Sequence, residues 1–382
     1  MFRWQTLLGV IIGLLAACAL LALTGSPERR PFPAGPILSE CDGHLRELVL
    51  QYEPAAKAIV SPVYRDFLRA LDRDVTIHLV CPDRAAFDDF VAAVGPVPCS
   101  VTPILAGHPM TAWSRDRWVA LTPAATGGAT TLWSPRGEAG EEVWPARAGD
   151  QRIGRDIAAA LAPFVRAQRS GLYFDGGDFL ADNETVFVMP RVLQRNIQQT
   201  VRSRAEFVGL LSRELKRRVI LLDEAPDHHA GMFVASVGGK TMLVGDPSLA
   251  RELIAAEMAQ PGPAATNEFM NLPGGPDFTA PTQHLFDAVA AQCAAAGYRV
   301  VRIPVVPAQD GRTYLTYVNV LMDQQGSRRV VYLPFYRGVE RLNAAARSVW
   351  EGLGYEIRPV DCTTAYQHFG CLHCLVNVLN RS

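Results

Sequence analysis

The sequence has almost no charge imbalance. Across 382 residues, 37 Lys and Arg face 38 Asp and Glu, a net charge of −1. Binding a polyanion needs a basic surplus on one face. The one compact basic run, Lys216-Arg217-Arg218, ends an amphipathic pattern, where cations complement the carbonyl end of a helix. No nucleic-acid partner is expected. Histidines number only eight, and no two stand at H-x-x-x-H spacing. A zinc site of that kind is therefore not read, and neither a metal nor a cofactor is expected.

The N-terminus stands apart from the rest. Thr6 to Thr24 is an uncharged, mostly apolar run preceded by Arg3. It reads as a signal peptide or a single membrane anchor over residues 1–25. Leu15-Ala16-Ala17-Cys18 resembles the segment cleaved and lipidated in bacterial lipoproteins, although the apolar run continues past Cys18. The expected location is membrane-attached and extracytoplasmic, by a lipid on Cys18 or by an uncleaved signal-anchor. Residues 26–40, rich in Pro, Gly and charge, are expected to be a tether, and 41–382 a single domain. Eight cysteines suit an oxidising compartment. Cys81 with Cys99 is the expected disulfide, because these residues bound two neighbouring strand-like segments.

After the tether, helical and extended patterns alternate. Helices are predicted over 55–71, 84–94, 201–215, 281–296 and 341–353. Strands are predicted over 75–81, 101–105, 218–222, 299–306 and 356–360, with 372–378 as the last. Two hairpins are predicted, 233–237 with 241–244 around Gly238-Gly239, and 315–322 with 329–333. Hairpins mixed with βα steps disfavour an all-parallel sheet. The strand, strand, helix, strand pattern recurs at roughly 50–70 residue intervals without visible sequence identity. Residues 258–277 read as an inserted loop.

Four clusters interrupt the apolar rhythm. They are Trp113-Ser114-Arg115-Asp116-Arg117-Trp118, Phe174-Asp175-Gly176-Gly177-Asp178-Phe179, Asp227-His228-His229-Ala230-Gly231 and Gly370-Cys371-Leu372-His373-Cys374. A cysteine beside a histidine either staples a structure or attacks a substrate. Attack needs a base or cation to lower the thiol pKa. In an extended segment His373 would point away from Cys374. A distant histidine, His228 or His229, must then serve, oriented by Asp175 or Asp178. Asp116 is left free to hold a cationic substrate.

The order and spacing of the four clusters resemble the pentein, guanidine-modifying superfamily, especially agmatine and peptidylarginine deiminases. There W-x-R-D, E/D-G-G-N/D, H-x-D and a late H-C recur in that order. Tyr317-Val318-Asn319 and Val331-Tyr332-Leu333-Pro334 also look like that family's ending. The likeness spans roughly Val75 to Ser382. It implies a five-bladed α/β propeller of ββαβ units with pseudo-fivefold symmetry. It also implies a cysteine-dependent deiminase acting on a small-molecule or peptidyl guanidine. Carried over by position, Cys374 is the nucleophile, His229 the acid and base, and Asp175 its orienting acid. Trp113, Arg115, Asp116, Asp178 and Asn319 are the expected substrate-binding residues.

The chemistry accounts for these residue types. A guanidinium is planar and cationic, so carboxylates must clamp its N–H groups before a thiolate can attack. One departure stands out: Gly231 replaces the second clamp acid, and losing such a contact costs about 1.5–3 kcal/mol of binding. That gap keeps a non-catalytic binding module and an amidinotransferase as alternatives. A redox pair of Cys371 and Cys374, and a metal site on His228 and His229, are further readings.

Overall fold

The computed structural model describes residues 34–137, 145–258 and 271–382. The expected leader or anchor therefore lies outside the described residues, as does most of the 258–277 insert. Among the described residues no helix is long and apolar enough to cross a membrane. Gly35–Ser382 form one compact unit.

Strands group into five sheets. β1 (Ala34–Ile37) comes first, followed by β2 (Leu45–Gln51), β3 (Thr76–Cys81) and β4 (Ser100–Leu105). Next are β5 (Val119–Pro123), β6 (Thr130–Ser134) and β7 (Val165–Arg169), with β1 beside β5. The third sheet holds β8 (Phe179–Ala181), β9 (Thr185–Val188) and β10 (Arg218–Leu221). β11 (Val234–Ser236), β12 (Thr241–Asp246), β13 (Arg299–Pro307) and β14 (Tyr314–Thr316) make the fourth, and β15 (Leu321–Gln325), β16 (Arg328–Phe335) and β17 (Glu356–Asp361) the fifth. The last strand, β18 (Val376–Arg381), returns to pair antiparallel with β2.

Each sheet repeats one unit: an antiparallel pair, a helical crossover, then a parallel strand. The antiparallel pairs are β5/β6, β8/β9, β11/β12, β15/β16 and β18/β2. The parallel partners are β7, β10, β13, β17 and β3. A parallel step needs a long crossover, which is why a helix sits inside every unit. Helix Arg84–Val94 shows how locally this is encoded. Asp83 caps it by accepting the Ala86 N–H at 2.9 Å, and Gly95 at φ 74° ends it. Its buried residues, Ala86, Phe90 and Val94, recur every four positions and face the core.

Four expectations change. The tether does not reach residue 40: β1 is paired, Leu38 N–H donates to Ala120, and Glu40 N–H to Ala181. The 315–322 strand is two pieces, since β14 belongs to one blade and β15 to the next. Residues 372–378 begin as a short helix, Leu372–Leu375. Asn319 Oδ1 accepts the N–H groups of His373 (2.8 Å) and Cys374 (3.3 Å), and this cap overrides the extended pattern. Finally, Cys81 and Cys99 are free, as is every described cysteine. β3 and β4 pair in parallel, with Thr76 opposite Ser100 and Cys81 opposite Leu105. The two thiols thus sit at opposite ends of the strand pair, about 15–20 Å apart at the usual rise per residue.

Buried hydrogen bonds join the first and last blades. Asp323, 1% exposed on β15, accepts the Leu45 N–H and contacts His44 Nδ1, each at 2.8 Å. The Asp323→Ala substitution removes the buried side-chain acceptor of the Leu45 N–H and should lower stability by about 2 kcal/mol in urea denaturation. Cys81 and Cys99 should both alkylate after denaturation without any reductant, as read by peptide mass spectrometry.

Candidate active site

Three of the four motifs are locked together by backbone. Arg115 N–H donates to the Cys374 carbonyl at 3.2 Å, and Gly176 N–H to the Asp116 carbonyl at 2.7 Å. Asn377, next to the Cys374 turn, donates through Nδ2 to the carbonyls of Ser114 and Trp118. The Asp175-Gly-Gly-Asp178 loop is anchored on both sides by aromatics. Phe174 stacks on Trp133 at 4.3 Å and meets Phe179 edge-on at 5.1 Å. Its glycines serve close approach. A Cβ on Gly177 would fall 2.5 Å from the His229 ring.

A cavity of about 200 Å³ lies over this assembly, with Cys374, His229, Asp175, Asp116 and Trp113 in its wall. Cys374 is 4% exposed, and Asn319 Nδ2 donates toward its Sγ at 3.4 Å. The His229 ring and the Cys374 side chain line the same cavity, and His229 Nε2 lies 3.9 Å from Asp175 Oδ2. Burial alone would pull the His229 pKa down. Asp175, Cys374 and the charges of Asp116 and Asp178 overcome this and push it to about 10. Burial likewise works against the Asp175 charge, yet His229, Arg117 and Arg195 hold that carboxyl well below the usual range. At neutral pH the pair is imidazolium and carboxylate.

His228 behaves differently. Burial, then the cations His229, Arg191 and Arg312, hold its pKa well below 6.5. Its Nδ1 accepts the His229 N–H at 2.7 Å, so His228 fixes the backbone from which His229 projects. His373 is also depressed, by burial and then by Arg115, Arg381 and His229. It stays out of the large cavity, although it lies on a helical turn and not on a strand.

The expected substrate-binding residues divide. Trp113 and Asp116 face the large cavity, and Asn319 contacts the Cys374 sulfur without lining that cavity. Arg115 turns away to Glu40, Asn377 and the Phe179 carbonyl. Asp178, wholly buried, accepts Arg191 Nε at 2.6 Å and the Asp175 N–H at 2.9 Å. Burial pushes its pKa up, and Arg191 opposes the shift. Asp116 is not free: Arg147 binds its carboxylate directly and also reaches Asp150 at 3.3 Å and Asp175 at 4.0 Å.

Sequence patterns gave no hint of Arg147, Arg191, Arg312 or Phe369, all of which line the cavity. An arginine near the start of a helix, as Arg147 is in Pro145–Ala160, looks like a solvated one. Phe369 carries the one available signal, a phenylalanine before Gly370, but its left-handed backbone (φ 66°) emerges only in the structure. Arg312 stacks over its ring at 5.1 Å. Among the described residues no three His, Cys, Asp or Glu side chains are grouped to hold a metal. Cys371 contacts Tyr336 Oη at 3.3 Å and forms no bond to Cys374, which removes the redox-disulfide reading.

Five ββαβ blades around an axial polar site are the pentein fold. Solved structures that share it include agmatine deiminases. One, from C. jejuni with substrate bound, is 13% identical and matches 90% of this chain and 96% of its own, with a TM-score of 0.65. Another, from Enterococcus faecalis, is 13% identical and matches 91% and 96%, also with a TM-score of 0.65. No protein-family model matches the sequence, and no curated protein does.

The raised His229 pKa has a stability consequence. The charged form is favoured in the fold, so the contribution is full below pH 6.5 and lost as pH rises through about 10. The Asp175→Asn variant should titrate His229 at distinctly lower pH, measured by imidazole NMR, and lose less stability across that window.

Proposed function

We propose that this protein is a cysteine-dependent deiminase that hydrolyses a C–N bond of a guanidine or amidine. The observation that carries this reading is the meeting of Cys374, His229, Asp175 and Asp116 at one cavity from four distant parts of the chain. The shared fold with agmatine deiminases supports it. In this reading the His229 imidazolium is the cationic neighbour that a thiol nucleophile at Cys374 requires. The thiolate attacks the central carbon, and His229 protonates the departing amine. Neutral His229 then takes a proton from water, which hydrolyses the thiouronium adduct. Asp116 fixes the guanidinium plane once the substrate shares or displaces Arg147. An amine acceptor in place of water would give amidine transfer.

Two observations favour a second reading, a non-catalytic ligand-binding pentein: Gly231 lacks the second clamp acid, and Arg147 already occupies the first. The membrane-attached, extracytoplasmic position is part of the proposal. Free thiols at all described cysteines leave it resting on the apolar run Thr6–Thr24.

Ammonia release across a panel of arginine, agmatine and arginyl peptides tests the choice. The Cys374→Ala variant should lose activity by about 10³-fold or more while keeping the wild-type circular dichroism. Tight binding by wild type and variant alike, without ammonia from either, would establish the binding module instead.

A further inference from the structure

A second, smaller cavity shares Cys374 and His229 with the large one. Its other walls are Glu40, Arg115, Asn319 and His373, and its volume is about 10 Å³. A third cavity of about 10 Å³ continues from Glu40, Arg115 and His373 to Ser39 and Arg381. A space of that size, with several polar partners, suits one water molecule. Two buried donors meet no acceptor among the described residues: Arg115 Nε, whose side chain borders both small cavities, and Arg381 Nε, whose side chain borders the third. Arg115 is otherwise committed to Glu40 and Asn377, so its orientation is fixed.

Gly231 borders the small cavity. A Cβ built there would lie 3.1 Å from Asn319 Nδ2 and 3.5 Å from His373 Nδ1, both groups of the cavity wall. Its φ is not in the left-handed region, so the backbone would accept a side chain. A residue at 231 would therefore enter the small cavity. The glycine that removes a guanidinium clamp also leaves room beside the nucleophile.

We propose that the small cavity holds the hydrolytic water, positioned by Glu40 and Arg115 beside His229, and that Gly231 keeps this position open. The inference rests on the deiminase reading. A substrate filling the large cavity would cover Cys374 from that side, and water from the small cavity needs no passage through it. The water oxygen bonds to the central carbon of the thiouronium, and its proton passes to neutral His229. The C–S bond then breaks, its electron pair returns to Cys374 as thiolate, and the protonated urea-type product gives its proton to solvent. Burial raises the Glu40 pKa, opposed by Arg115 and Arg381, and burial lowers that of His373. Glu40 and Arg115 are ion-paired in the cavity wall, which therefore offers a neutral water both an acceptor and a donor.

The Gly231→Ala variant tests this by rapid quench and intact-protein mass spectrometry. Formation of the Cys374 adduct should keep its wild-type rate, while adduct decay slows by about a hundredfold. Ammonia would then appear as a burst of one per site, followed by slow turnover. Slower adduct formation with unchanged decay, or no change in either step, would overturn the water route and leave the deiminase reading standing. No adduct in the wild type with any guanidine would overturn both. High-resolution crystallography supplies an arm that does not need turnover. An ordered water bonded to Glu40 or Arg115 in the wild type, absent in Gly231→Ala, supports the proposal, and its absence from the wild type sinks it.

Discussion

The pairing of β18 with β2 is the constraint on which the rest depends. Four blades take their antiparallel pair from consecutive chain, but the first blade, that of β2, borrows a strand from residues 376–381. That borrowed strand does two things at once. It closes the ring, so that no blade is left with a missing partner, and it delivers Cys374 to the axis. The Arg115-to-Cys374 backbone bond and the Asn377 amide then tie the Cys374 turn to the Trp113–Trp118 loop. Geometry at Cys374 thus rests on sheet closure together with two side-chain amides, Asn377 and Asn319.

The second organising principle is charge compensation. Asp116, Asp150, Asp175 and Asp178 lie near one another, and so many carboxylates could not stay ionised in an apolar surrounding alone. Arg147 and Arg191 bridge them, and His229 is held cationic by the same field. His228, one residue earlier, is held well below the usual histidine range by burial, then by His229, Arg191 and Arg312. Two adjacent buried imidazoles therefore shift in opposite directions, because carboxylates outweigh burial at His229 and nothing opposes it as strongly at His228.

The long helices and strands could be read from the chain because amphipathic periodicity is local. Arg84–Val94 has its cap, its face and its stop within a dozen residues. What could not be read was decided by partners far away. The Cys374 segment looks extended, yet the Asn319 side chain, 55 positions earlier, winds it into a turn. Cys81 and Cys99 bound neighbouring strands, but parallel pairing separates them. β8 and β9 are three and four residues long, too short for alternation to register. At the site, residues set in unusual motifs were legible, including Cys374, His229, Asp175 and Asp116. Those that act through charge from ordinary helices, above all Arg147, were not, because nothing in a helix repeat distinguishes a buried arginine from a solvated one.

Ring closure also orders events in time. Val376 pairs with Leu50, so the first blade waits for more than three hundred residues of synthesis before this edge of β2 is covered. Until then β2 presents an unpaired edge, the kind of surface that invites other chains. Cys374 arrives in the same final stretch that covers that edge. A nascent chain therefore has neither a finished sheet nor a complete cavity wall, and it gains both together.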